Sequence, residues 1–371
     1  MKTKVIALIV AGGYGERFGS VVPKQYTLSI LTKTIEKFRS SNLIDAIQVV
    51  IRPEDLELYN DAIINLDLLQ VTFGGKTRGE SVRNGLKAIA EYQPELVLVH
   101  DANRPYLSIN LIEEIVSQLK LNPKYGVVPC LAVTETVKRI TSTDDEIVDR
   151  KNLFTIQTPQ GFYYNQLLEV YNKADSFYTD ESSLDIPIIY IPGEKQNIKI
   201  TYKGDVPMEV RSGNGFDAHK FALQVSESNS IILGGITIPF EKRLEAHSDG
   251  DVLIHALVDA LLGSIGAGDI GMHFSPSDAK WKNADSKLFL IFANELIRQK
   301  NGRINNIDLT VICEKPHLGA YKEEIRNNLA KILNISIDRV NIKATTTEKM
   351  GFTGRGEGIA VQAIATISLP F

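Results

Sequence analysis

The chain has 371 residues, 43% of them apolar and 23% charged, the make-up of a folded globular protein long enough for two cores rather than one. A net charge of −4 excludes a general attraction to nucleic acid or to an anionic membrane surface. Cys130 and Cys313 stand far apart in apolar stretches, and the apolar run at residues 5–10 is too short to span a membrane and has no cleavage site after it. Free thiols and a cytoplasmic setting are therefore expected.

Along the first 200 residues, short β-rich runs alternate with amphipathic segments. Strands are expected at residues 5–10, 46–51, 96–100, 126–129 and 188–191, and helices at 32–40, 80–91, 111–121 and 166–174. That alternation predicts an α/β domain with a mostly parallel sheet, helices on both faces and ligands at the carboxyl ends of the strands. The pattern breaks in TYKGDVPMEVR, residues 201–211, so the expected domains are 1–205 and 206–371. Beyond the break come a strand–loop region (210–238), helices at 250–263 and 285–300, a strand at 305–313, a helix at 319–333, and strands at 340–345 and 358–367. This order predicts an α+β domain with its helices on one face of a sheet.

The first expected strand runs into AGGYGERFG, residues 11–19, followed by Pro23, Lys24 and Gln25. Glycines after a strand let backbone N–H groups approach phosphates, but the same turn occurs in dinucleotide sites or as a plain tight turn. Arg17 and Lys24 inside the loop favour a triphosphate, whose transfer develops extra negative charge. Further on, HDANRP at residues 100–105 places Asp101 at a strand end, suited to holding Mg²⁺ against nucleotide phosphates. The bland alternative pairs Asp101 with Arg104 as a structural ion pair and leaves His100 as a satisfied, semi-buried histidine.

In the second half, Asp217 and His219 alternate along an extended segment and so point the same way, and His255 follows on a helix. A carboxylate and two imidazoles can hold zinc with one position open. On spacing alone the third ligand is His247 or His255, while Asp249 and Asp251 are expected to cap the helix that starts there. Near the end, Thr345, Thr346, Thr347 and Glu348 precede the turn GFTGRGEG with Arg355. Hydroxyls, an acid and a cation in one place suit a diphosphate with bound Mg²⁺, against a strand and a solvated turn.

Taken together, AGGYGERFG, PKQY, GGKTRGESVRNGL, HDANRP, Asp149-Arg150, TPQGF and NIKIT make residues 4–201 resemble 2-C-methyl-D-erythritol 4-phosphate cytidylyltransferase. The resemblance implies a Rossmann-like nucleotidyltransferase that joins CTP to methylerythritol phosphate and releases pyrophosphate. In that family's terms Arg17 and Lys24 stabilise the transition state, Arg150 and Lys199 position the sugar phosphate, and Asp101 serves the Mg²⁺–nucleotide complex. Ala11, Gly12, Gly75 and Ser81 fall at the cytosine and ribose, and Thr136 at the sugar-phosphate site. Gly12 and Asn103 stand where alanines are usual, and Lys76 where an acid is frequent.

With HSDGDVLIHALVDALLG and GDIG added, residues 210–369 resemble 2-C-methyl-D-erythritol 2,4-cyclodiphosphate synthase. That resemblance implies Zn²⁺ on Asp217, His219 and His255, polarising a β-phosphate while the substrate's own 2-phosphate closes a ring and expels CMP. Glu348 would hold a second divalent ion, Mg²⁺ or Mn²⁺. His247 and Thr346 would support the transition state, with Ser248 beside them. Asp269, Ile270 and Gly271 would hold the ribose, and Phe274, Ser275, Pro276, Ser277 and Asp278 would form a mobile flap. Residues 314–318 with Phe352 and Arg355 would form the nucleotide pocket, next to Thr345 and Thr347. The families form trimers with shared sites (the synthase) and dimers (the transferase), which together imply a homo-oligomer closing at a hexamer. The expected partners are therefore small-molecule substrates, with neither nucleic acid nor membrane. No GxxxxGK[ST] signature is present, so the intervening kinase is a separate protein, and an assembly with it is a hypothesis. The competing readings are a sugar nucleotidylyltransferase with a structural zinc module, and a nucleotide sensor without catalysis.

Overall fold

The computed structural model describes residues 4–64, 66–141, 144–173, 178–225, 229–246, 248–275, 278–281 and 284–370. The chain forms two compact units, Met1–Val206 and Pro207–Phe371.

The first unit contains β1 (Val5–Val10), α1 (Ile30–Arg39), β2 (Ala46–Ile51), α2 (Leu56–Ala62), β3 (Thr72–Phe73), α3 (Arg78–Ala88), β4 (Leu96–Asp101) and α4 (Ile109–Leu121). It continues with β5 (Gly126–Ala132), β6 (Val137–Ile140), β7 (Asp145–Val148), β8 (Phe154–Ile156), β9 (Gln160–Tyr163), α5 (Tyr164–Lys173) and β10 (Ile188–Pro192). The sheet runs β10-β5-β9-β4-β1-β2-β3, with β1 parallel to both β2 and β4. Because side chains alternate along a strand, β1 feeds two cores. Val5, Ala7 and Ile9 pack with Leu31, Ile35 and Ile112, while Ile6 and Leu8 pack with Val82, Leu86 and Leu167. Helices therefore cover both faces, and the central strands read as unbroken apolar runs.

Two features lie outside the expected elements: β9, antiparallel between β4 and β5, and the β6–β7 hairpin. β9 is QGFY, four residues that begin with a buried glutamine, so it carries no apolar period. The hairpin is largely exposed and joined across its strands by the Lys138–Asp145 and Arg139–Glu146 ion pairs.

The second unit contains β11 (Met208–Lys220), β12 (Ser230–Leu233), β13 (Ile236–Pro239), α6 (Val252–Ser264), α7 (Ile270–His273) and α8 (Lys287–Gln299). After these come β14 (Arg303–Ile312), α9 (Lys322–Leu333), β15 (Val340–Thr345), α10 (Gly351–Gly354) and β16 (Gly358–Pro370). Its main sheet runs β11-β16-β14-β15, with only β14 and β15 parallel. One face packs on the helices: Ile359, Val361, Ala363 and Ala365 join Leu257, Leu261, Leu290 and Leu329 in one core. The opposite face leaves Phe216 and Ile364 exposed.

Helix α6 lies directly on β11 because two glycines remove the side chains between them. A Cβ on Gly213 would sit 1.9 Å from the Ala260 carbonyl oxygen, and one on Gly215 would sit 1.9 Å from that of Ala256. His255 is the neighbour of Ala256, and Asp217 follows Gly215 by two residues, so this backbone contact sets the spacing of the metal-capable side chains.

Candidate functional site

At the carboxyl ends of β1, β2 and β4 lies a cavity of about 850 Å³. Its loop is shaped by Gln25, 3% exposed, whose Nε2 donates to the Ala11 and Gly13 carbonyls at 2.8 and 3.0 Å. Those two bonds fix the path of the loop backbone. Lys24 is buried and Arg17 exposed, and both line the cavity with Arg52, Lys76, Arg78 and Lys199. Burial, then the neighbouring charges of Lys199 and Arg17, lowers the Lys24 pKa from its ordinary value. Six cations against three acids (Glu16, Glu54 and Asp101) leave the cleft a positive balance suited to a polyphosphate.

Asp101 sits among three of the unit's cations. Its oxygens receive Arg78 Nε at 3.1 Å and Lys199 Nζ at 2.7 Å, with Arg104 Nε at 4.0 Å. Burial opposes its ionisation, yet Arg78 and Lys199 outweigh that and hold it well below the usual carboxylate range. The nearest charges are thus Arg78 and Lys199 rather than Arg104. Arg78 was missed in the sequence as a site residue; its signal was an arginine opening the helix after a glycine-rich turn. Its Nη1 also binds fully buried Glu181 at 2.6 Å. His100 is a satisfied core histidine, 0% exposed, with ring nitrogens 2.9 Å from Thr158 Oγ1 and 3.1 Å from the Arg104 carbonyl.

The structure brings Ala11, Gly12, Gly75, Ser81, Arg17, Lys24, Asp101 and Lys199 to this one cavity. The replaced positions are accommodated. A Cβ on Gly12 would meet Ser81 Oγ at 3.6 Å, an ordinary contact, and the Asn103 amide donates to the Ile200 carbonyl at 2.9 Å, beside Lys199. Gly75 has no such latitude, since its Cβ would lie 2.4 Å from that of Glu80. Arg150 and Thr136 are exposed and do not line the cavity; Arg150 donates to the Thr134 carbonyl at the root of the β6–β7 hairpin.

In the second unit, Asp217 Oδ2 lies 3.0 Å from His219 Nε2 and 3.1 Å from His255 Nδ1, and the two nitrogens are 3.4 Å apart. Three lone-pair atoms converging on one point match tetrahedral zinc, whose ligands at about 2.0–2.1 Å stand roughly 3.3 Å from each other. Among the described residues this is the one group of three such side chains. Burial works against ionisation of Asp217, and its close contacts with both histidines overcome that, lowering its pKa. His219 Nδ1 is buried without a partner among the described residues.

Asp251 caps α6 through the Ile254 N–H at 3.0 Å and also accepts the N–H groups of Gly234 and Gly235. Asp249, expected to cap the same helix, instead holds the backbone N–H of Ser286 at 3.0 Å and its hydroxyl. Ser248 Oγ lies 3.0 Å from His255 Nε2. His247, Pro276 and Ser277 lie outside the described residues. Asp269 caps the short helix α7 through the Met272 N–H, and Ile270 and Gly271 belong to that helix. Phe274 stacks at 4.4 Å on Phe289 and edge-on at 4.9 Å to Trp281, so the aromatic start of the expected flap is anchored; Ser275 follows it and Asp278 receives the Lys280 N–H.

Thr346 Oγ1 donates to Glu348 at 2.9 Å, and Glu314 receives the Thr347 N–H at 3.1 Å. Phe352 and Arg355 follow, with Arg355 paired to Glu357. This turn leaves β15, at the opposite edge of the sheet from Asp217. Asp217 pairs with Val361, Val361 with Val311, and Val311 with Ala344. Three strand spacings put about 14 Å between that rung's two ends.

The 2-C-methyl-D-erythritol 4-phosphate cytidylyltransferase family matches residues 5–209, and the YgbB family matches residues 210–368. The chain is 43% identical to the bifunctional enzyme IspD/IspF of Bartonella bacilliformis, over 99% of this chain and 98% of that one. It is also 43% identical to the Rhodospirillum rubrum enzyme of that name, over 99% and 100% respectively. The structure of the bifunctional IspDF from Campylobacter jejuni aligns at 31% identity over 99% of both chains, with a TM-score of 0.47. No helix among the described residues is long and apolar enough to cross a membrane. With both halves matched in order and at full length, the chain belongs to the family of bifunctional IspD/IspF enzymes.

Proposed function

We infer that the chain catalyses two reactions of the methylerythritol phosphate route to isoprenoid precursors. The first unit transfers CMP from CTP to 2-C-methyl-D-erythritol 4-phosphate, releasing pyrophosphate. The second cyclises 4-diphosphocytidyl-2-C-methyl-D-erythritol 2-phosphate to the 2,4-cyclodiphosphate, releasing CMP. The observation that carries the second half is the convergence of Asp217, His219 and His255 on one point, which leaves room for a fourth ligand.

In the first reaction the sugar phosphate oxygen attacks the α-phosphorus of CTP, and the bond to pyrophosphate breaks. Arg17 and Lys24 stabilise the added charge, and Ala11, Gly12, Gly75 and Ser81 seat the base and ribose. This chemistry is mostly positioning and electrostatics. Lys199 and Arg150 orient the attacking phosphate, with Thr136 beside Arg150. Since Arg150 and Thr136 stand outside the cavity, they act there from the hairpin of a second copy. Both Asp101 oxygens are engaged by Arg78 and Lys199. Asp101 would hold Mg²⁺ in place of one of these contacts, and the ion would supply charge neutralisation at the nucleotide phosphates.

In the second reaction the 2-phosphate oxygen attacks the β-phosphorus, and the bond to CMP breaks. Asp217, His219 and His255 would hold Zn²⁺, which would supply Lewis-acid polarisation of the β-phosphate. Glu348 holds the second divalent ion, His247 and Thr346 support the charge that develops, and Ser248 hydrogen-bonds the diphosphate. Residues 269–271 hold the ribose, 274–278 cover the erythritol, and 314–318 with Thr345, Thr347, Phe352 and Arg355 receive the nucleotide. About 14 Å of sheet separates the Asp217 and Ala344 edges, so one copy would not bring its zinc ligands and Glu348 to the same diphosphate. Glu348 thus belongs with the zinc ligands of a neighbouring copy, and three-fold plus two-fold contacts close at a hexamer.

The test supplies CTP, methylerythritol phosphate and a separate kinase with ATP, and follows product. Cyclic diphosphate formed with this chain as the only other protein supports both sites. Diphosphocytidyl alcohol without cyclic product would favour a transferase joined to a structural zinc module. A monomer fully active in cyclisation, seen by light scattering at assay concentration, would remove the shared-site reading. Co-elution of the kinase at micromolar concentration tests a stable three-enzyme assembly, and separate elution removes it.

A further inference from the structure

His255 offers Nδ1 to the metal position only when its proton is on Nε2, and a chain of two residues outside the ligand set ends at that nitrogen. Ser286 is 0% exposed and stands immediately before α8, with its Oγ 2.9 Å from His255 Nε2. Its backbone N–H donates to Asp249 Oδ2 at 3.0 Å, and its hydroxyl donates to Asp249 Oδ1. Asp249 also receives the Asp251 N–H at 3.2 Å, and its own N–H donates to the Ala284 carbonyl at 3.2 Å, locking the two loops together.

With the metal position filled His255 Nδ1 must be unprotonated, and counting hydrogens shows a chain of bonds that suits this state. An ionised carboxylate only accepts, and a hydroxyl has one hydrogen. With that hydrogen given to Asp249, Ser286 Oγ meets His255 through a lone pair, so Nε2 carries the N–H. The neutral ring then presents an unprotonated Nδ1, and this atom lies 3.1 Å from Asp217 Oδ2 and 3.4 Å from His219 Nε2. Ser248 Oγ, also near Nε2 and accepting the Gly250 N–H at 3.3 Å, keeps its hydroxyl hydrogen for a different acceptor.

We propose that Ser286 and Asp249 are positioning residues that fix His255 as a metal ligand. The proposal rests on the zinc reading of the second unit. Outer hydrogen bonds of this kind set ring orientation and raise ligand basicity, and their removal costs about 10–100-fold in metal affinity. His219 has no counterpart among the described residues, so the outer support is concentrated on one histidine.

The test measures zinc affinity of the full-length protein by chelator competition, and the visible spectrum of the cobalt(II)-loaded form. Ser286→Ala is expected to bind zinc about 10–100-fold more weakly and to alter the cobalt spectrum, while cytidylyl transfer by the first unit is unchanged. Asp249→Asn is expected to weaken binding in the same direction, because the amide can accept only one of the two Ser286 donors without presenting a hydrogen to the other. It carries the test alone if Ser286→Ala does not fold. Folded variants that keep parental zinc affinity and an unchanged cobalt spectrum overturn the positioning role. A parent protein that binds neither ion overturns the metal-site reading as well.

Discussion

The two candidate sites are built on opposite plans. The first is a cavity walled by backbone and by cations gathered at the carboxyl ends of the central strands, with its carboxylate, Asp101, already neutralised by Arg78 and Lys199. The second is a point where three side chains meet, and the remaining expected ligands stand across a four-stranded sheet. A polyphosphate needs a broad field and many donors, so sequence-distant residues with loose geometric demands suffice. A metal needs atoms placed within tenths of an ångström, and the protein meets that with a glycine-mediated helix–strand contact and a locked histidine.

This contrast predicts separable failures. His255→Ala should abolish zinc retention and cyclisation yet leave cytidylyl transfer intact, read by metal analysis and the two product assays. Cyclic diphosphate made by the purified variant at the parent rate would defeat the two-site scheme. Lys24→Ala should do the reverse, lowering transfer by about 10²–10³-fold, the usual loss when one donor to a developing charge is removed, with zinc content unchanged. A comparable fall in both activities would show that the units depend on each other.

Most of this was legible in the sequence where side-chain pattern and function coincide. The apolar runs that became β1, β2 and β4 are buried on both faces, so composition alone marked them. Asp217 and His219 could be paired because strand periodicity is two residues. What stayed hidden depends on partners remote in sequence. Arg78 reads as a surface helix residue until Glu181 and Asp101 are seen around it. Asp249 reads as a helix cap until Ser286, 37 residues later, arrives beside it. β9 carries no apolar alternation, because it is buried through its position between β4 and β5.

A subtler break in the second plan is Gly215→Ala. Its new methyl would collide with the Ala256 carbonyl at 1.9 Å, a backbone atom that cannot rotate away. Helix α6 must shift, and His255 shifts with it. Overpacking of this type costs about 1–3 kcal/mol, so the variant should fold with a lower melting temperature and retain much less zinc, while transfer activity persists. Parental zinc affinity in a destabilised Gly215→Ala protein would show that the ligands tolerate movement of the helix.

The first unit has its own weak point, and it responds to pH. Burial, only partly offset by the charge of Asp101, lowers the His100 pKa from 6.5 to about 3. The folded state holds this imidazole neutral, whereas the unfolded chain takes up a proton below pH ~6.5. The unfolded state therefore binds more protons between these values, and stability rises with pH across that window. His100's contribution is complete above pH ~6.5 and is lost as the pH falls toward 3, by up to about 1.4 kcal/mol per pH unit. Urea unfolding followed by circular dichroism at several pH values should show a shallower acid dependence in His100→Gln than in the parent. The glutamine amide offers one acceptor and a donor in place of the ring nitrogens that meet Thr158 and Arg104, and it does not titrate. Equal slopes would mean that the acid sensitivity of this unit arises elsewhere, with Asp101 the next group to replace, since its lowered pKa acts in the same direction at lower pH.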